Sequence, residues 1–131
     1  MPLELSIKAI LIGCASYGAL LFLQNGVISI SPDMLQSVWF TSILSLFATC
    51  SFPACGYITG AVARHNAMGN AIAVGALIGI ASTFFSVANF GEAWHGASII
   101  GSSINFIVTC IIMCGFGGAL SRHRNYMSIS A

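Results

Sequence analysis

A chain of 131 residues with 57% hydrophobic and 5% charged side chains cannot solvate itself as a globule, since soluble domains carry roughly 25% charged residues. It reads instead as one all-α integral membrane domain over residues 1–131. With a formal net charge of +1 and four basic residues in all, it has no phosphate-neutralising stripe, which excludes nucleic acid as a partner.

Crossing the roughly 30 Å hydrocarbon core takes about 20 mainly apolar residues. The stretches free of Asp, Glu, Lys and Arg are 9–32, 34–63, 65–91 and 93–121, each long enough for one span. The first predicted helix covers 5–24. Leu11-Ile12-Gly13-Cys14 inside it matches a lipoprotein cleavage box, but only five residues separate Lys8 from Cys14. A signal peptide needs an apolar region of about 7–15 residues, so helix 1 reads as a retained span. Asn25-Gly26 and Ser31-Pro32-Asp33 punctuate the connection that follows. The second predicted helix, 36–62, contains Pro53 and ends with Gly56-x-x-x-Gly60. Pro53 removes one helical hydrogen bond and crowds the Thr49 carbonyl, which predicts a bend there.

Residues 66–70 connect to a third helix, 69–90, with a small-residue stripe at Ala71, Gly75 and Gly79. Gly91-Glu92 precedes the fourth, 97–120, where Cys110, Cys114 and Gly118, and Gly115 with Ala119, form similar stripes. Helix association in lipid relies on close backbone approach, so Gly56, Gly60, Gly75, Gly79 and Gly118 are the expected packing positions, chiefly within the chain. Residues 121–131 read as a short cytoplasmic tail.

Four spans place Lys8, Arg64, Arg122 and Arg124 on one side and Asp33 and Glu92 on the other. The positive-inside rule then puts both termini in the cytoplasm, with Trp39 and Trp94 at the outer interface. Glu4 shares the inner side, where acids count for little. The expected setting is a bacterial inner membrane.

The two halves echo each other. Leu11-Ile12-Gly13-Cys14-Ala15-Ser16 returns as Leu77-Ile78-Gly79-Ile80-Ala81-Ser82, and Asn25-Gly26 as Asn89-Phe90-Gly91. Thr49-Cys50, Cys55-Gly56-Tyr57 and Gly60-Ala61-Val62-Ala63-Arg64-His65 return as Thr109-Cys110, Cys114-Gly115-Phe116 and Gly118-Ala119-Leu120-Ser121-Arg122-His123. This order predicts a duplicated helical hairpin, 5–66 and 69–125, related by a pseudo-twofold axis along the membrane normal. Such an axis would bring Cys50 and Cys55 toward Cys110 and Cys114.

Those four thiols and Asn105 are the candidate site. Thiolates suit Cu(I) or Zn, and a dithiol can cycle its redox state. No CxxC or adjacent pair occurs, so packing of a small apolar side chain is the favoured role, with no metal or other cofactor and no disulfide. His65 and His123 read as interfacial basic groups rather than haem ligands, and His95 lies on the opposite side. Asn105 is the deepest amide, suited to a hydrogen bond between helices or to a substrate contact. No charge lies at mid-depth, no catalytic triad or nucleotide fingerprint occurs, and Glu92 with His95 sits in an exposed loop. Enzymatic activity is not expected.

Small multidrug carriers depend on a buried Glu in helix 1, which this chain lacks. Ser82-Thr83-Phe84-Phe85-Ser86 resembles the third helix of fluoride channels, without their Asn in helix 2 or Arg in helix 1. Gly56-Tyr57-x-x-Gly60-x-x-Ala63-Arg64, followed by a Gly/Ala-rich helix, resembles small bacterial membrane proteins and implies no activity. The expected role is a non-enzymatic membrane subunit or partner-binding protein, of accessory or immunity type, touching the bilayer, another membrane protein or a second copy of itself. The alternative is a small transporter or channel for an ion or small solute.

Overall fold

The computed structural model describes residues 5–63, 65–90 and 96–130, and it is all-helical there. Four helices, α1 (Ile7–Ile30), α2 (Val38–Val62), α3 (Ala67–Phe90) and α4 (Gly96–Ser130), are joined by a 3-10 turn at Pro32–Gln36 and by the short link before Ala67. Each is long and apolar enough to cross a membrane. The chain is therefore a multi-pass α-helical membrane protein. Arg64, Glu92, Trp94, His95 and Glu4 fall outside the described residues.

Helix ends follow local chemistry. Ser6 caps α1, its hydroxyl accepting from the Ala9 N–H at 3.4 Å. α1 runs past Asn25-Gly26, where the sequence predicts a connector, because apolar Val27–Ile30 extend the span and nothing before Ser31-Pro32 prevents helix. Asn66 adopts a positive φ of 52° and its side chain accepts from Gly69 N–H at 3.2 Å, starting α3. α2 is α-helical without interruption across Pro53. α4 is 35 residues long, about 52 Å. It continues as helix through the segment expected as a tail, since no Gly or Pro follows Gly118 to stop it.

Hydroxyls within the spans are mostly satisfied by their own helix. Ser16, Ser42, Thr49, Ser51, Thr59 and Thr109 each donate to the carbonyl four residues back, at 2.7–2.9 Å. They leave association to close packing.

That packing is made by glycines against backbone. A methyl on Gly56 of α2 would overlap the Cys114 carbonyl of α4, and one on Gly117 would overlap the Pro53 carbonyl. A Cβ on Gly75 of α3 would lie 2.6 Å from the Cys110 carbonyl oxygen, and one on Gly79 3.0 Å from Ile107 Cα. Gly60 meets Ser121 and Gly118, and Gly118 meets Ala71 and Ala67. The expected packing glycines all serve contacts within the chain. Helices α2, α3 and α4 thus form a mutually packed trio, and α1 leans on α2 and α3 through Gly13, which abuts Thr59 and Val74.

Among the described residues α1 makes no close approach to α4, although α3 lies directly against α2. A twofold axis exchanging the hairpins would require those two contacts to match. Residues aligned by the sequence echo accordingly have unequal surroundings: Cys110 is buried, whereas Cys50 is exposed.

Burial is one-sided. Among the described residues, every buried one lies toward the end where α1 and α3 begin, α2 stops and Arg122 and Arg124 project. In the other half, α2 from 38 to 50, α3 from 80 to 88 and α4 from 100 to 109 bury none. The total accessible surface is 8997 Å², against about 6,600 Å² for a compact chain of this mass.

The glycine contacts set the first prediction. Gly56→Ala or Gly117→Ala should destabilise the fold by about 2 kcal/mol or more through overpacking. Gly18→Ala and Gly26→Ala, which meet open space, should be neutral or stabilising by up to about 1 kcal/mol. Unfolding of each variant by titration with denaturing detergent measures the difference.

Candidate functional site

The residues with chemistry to offer gather at two levels. The first is an aromatic layer. Tyr17 of α1 stacks on Phe52 of α2 with centroids 5.5 Å apart, and Phe52 meets Phe106 of α4 edge-on at 6.1 Å. The Tyr17 hydroxyl faces Ser82 of α3. All four helices therefore meet here. Near this level the Thr83 hydroxyl is buried with no hydrogen-bond partner among the described residues.

The second level, toward the basic end, is the thiol row. Cys55, Cys110 and Cys114 are buried and Cys14 is half-buried. Cys114 lies near Cys55, Cys110 and Cys14. Its Sγ donates to the Phe52 carbonyl at 3.3 Å, joining α4 to α2 one turn from the Gly56 contact. Cys110 and Cys114 also flank Gly75, through the Cys110 carbonyl and the Cys114 Cβ. The thiols are thus built into the helix seam. Among the described residues no three His, Cys, Asp or Glu side chains converge to hold a metal ion.

Two predicted site residues are placed elsewhere. Cys50 is exposed on α2, because its step of five from Cys55 turns it off the face that α4 covers. Asn105 is exposed on α4 rather than bonded to another helix of the chain. Among the described residues the fully buried amide is Asn70, in the first turn of α3. Its Oδ1 accepts from Ser6 N–H at 2.7 Å, and its Nδ2 donates to the carbonyls of Asn66 at 2.9 Å and His65 at 3.2 Å. It fastens the start of α1 to the α2–α3 link. Its signal in sequence is an amide amid small apolar residues at a helix start, one turn from the capping Asn66. Thr59 and Ser121, also buried, bond back to Cys55 and Gly118 of their own helices.

Basic side chains ring the same end. Lys8, His65, Arg122, His123 and Arg124 are all exposed, and Arg124 Nη1 donates to the Tyr57 hydroxyl at 2.7 Å. Asp33 lies at the opposite end, in the 3-10 turn. No protein-family model, curated protein or solved structure matches the chain.

Burial predicts an order of thiol reactivity. In mild detergent, a small maleimide should alkylate Cys50 first and Cys14 more slowly. Cys55, Cys110 and Cys114 should react only after denaturation. Mass spectrometry of digested protein reads the order, and early labelling of Cys114 would contradict the seam.

Proposed function

We propose that this chain is a bacterial inner-membrane protein with both termini cytoplasmic, acting as a non-enzymatic subunit that binds another membrane protein. The orientation is supported by the exposed Lys8, Arg122 and Arg124 at one end and Asp33 at the other. The in-order sequence matches support an origin by duplication of a two-helix hairpin, whose copies now have different neighbours.

One observation carries the partner-binding reading. The packed half uses its small residues on the chain's own helices, while in the other half of α2, α3 and α4 no described residue is buried as a whole, the Thr83 hydroxyl being the buried atom there. Contacts with another protein therefore fall to that half, around exposed Ile43, Leu46 and Phe84. Apolar helix faces at this depth suit a membrane partner of accessory or immunity type. Transport of a small solute is the second reading, favoured by the unpartnered Thr83 hydroxyl near the aromatic layer. Against it, the glycine seam fills the path between α2, α3 and α4 toward the basic end.

Photoreactive amino acids at positions 43, 46 and 84, irradiated in cells, test the reading. A discrete adduct with a second membrane protein is expected. Absence of protein adducts from all three sites, with expression and insertion retained, would overturn it.

A further inference from the structure

Helix α4 has two unlike faces. Phe106 meets Phe52 of α2 and Ile107 abuts Gly79 of α3, so these consecutive residues define the side that faces the bundle. Cys110, Cys114, Gly118 and Ser121 continue it and are buried. At about 100° per residue, Asn105 points about 150° away from that direction. Gly101, Asn105, Val108 and Ile112, at steps of four, three and four, form the opposite face, and every one is exposed. The remaining helix, α1, makes no close backbone approach to α4. Nothing described in the chain covers this face.

Its depth makes the amide conspicuous. Gly79, which abuts Ile107, lies twelve residues after Ala67, near the middle of the 24-residue α3. That is about 18 Å along the helix, well inside a core about 30 Å thick. Asn105, two residues from Ile107, adjoins this level and carries two donors and an acceptor where lipid tails offer no partner. Nearby Thr109 is satisfied by its own helix, donating to the Asn105 backbone carbonyl at 2.8 Å. The Asn105 side chain is left facing outward.

Gly101, one turn away, leaves room on the same face. A methyl built there meets nothing within 4 Å, as at Gly18 and Gly26. Glycine weakens a helix interior, and here nothing within the chain makes use of its small size. A close approach from outside would.

We propose that two copies of this chain associate through this face of α4, with the Asn105 amides hydrogen-bonded to each other across a twofold axis normal to the membrane. An amide both donates and accepts, so it complements itself. A parallel twofold contact brings Asn105 to Asn105 and Gly101 to Gly101 at the same depth without any further sequence requirement. Steps of four and three suit helices crossing near +20°, and Gly101 lets the backbones approach. The accessible surface of 8997 Å² exceeds that of a compact chain by about 2,400 Å², ample for a standard interface of about 800 Å² per partner. The proposal deepens the partner-binding reading by naming one partner, and rests on it only in treating helix faces as the working surfaces.

Sedimentation equilibrium in density-matched micelles tests it on the full chain. The wild type should sediment above its 13.7 kDa monomer mass. Asn105→Leu, a lipid-compatible change at an exposed site, should weaken the dimer about tenfold, whereas Asn105→Gln, which keeps the amide, should preserve most of it. A photoreactive residue at 108 should cross-link to a second copy. A monomer at every loading, or Asn105→Leu sedimenting as wild type, would overturn the proposal. Own-copy adducts from 108 with none from 43, 46 or 84 would uphold the dimer and remove the separate partner. The reverse pattern would do the opposite.

Discussion

A methyl group on Gly56 would stand where the Cys114 carbonyl stands, so α2 and α4 meet backbone to backbone. Everything else in the packed half is arranged around that contact. In lipid, burying apolar side chains against one another gains little over leaving them in acyl chains, and close van der Waals approach has to hold helices together. Gly117 against the Pro53 carbonyl repeats the contact one turn along, and Gly75 and Gly79 let α3 settle against the same helix. Cys114 adds a thiol hydrogen bond to Phe52 in the seam, and Asn70 ties the first helix to the trio. The thiols belong to this construction: they are small enough to fit between backbones this close.

The same constraint explains the asymmetry between the two halves. Close glycine contacts run out beyond Gly79 and Ile107, where the aromatic rings of Tyr17, Phe52 and Phe106 take over. Rings hold helix axes apart, and past them the helices bury none of their described side chains. One half is a close-packed core. The other is a set of helical faces presented to the bilayer, one of them carrying an amide.

Much of the fold was legible because a membrane span is written in long charge-free stretches, and those located all four helices. Their ends were less so. Asn25-Gly26 breaks structure in water, where turns can be solvated, but in a bilayer backbone groups are best satisfied by continuing the helix to Ser31-Pro32. The small residues at Gly56, Gly60, Gly75, Gly79 and Gly118 pointed to the seam, since the need for close approach is general. Gly117 was masked by its neighbour Gly118. The choice between amides was not readable: helices apolar on all sides carry no periodicity to fix their rotation, so which of Asn70 and Asn105 faces inward depends on packing. Cys50 was misplaced for the same reason, because the echo of Cys110 was read as symmetry while the helices around each copy differ.

The account stands or falls on one half being locked and the other open. Pulsed electron resonance between spin labels on non-canonical residues measures this directly in lipid. One pair is placed at exposed Ile58 and Leu120, on α2 and α4 near the glycine seam, and the other at exposed Ile43 and Ile104 beyond the aromatic layer. The account predicts a narrow, short distance distribution for the first pair and a longer, broader one for the second. Equally narrow, short distributions at both levels would contradict it.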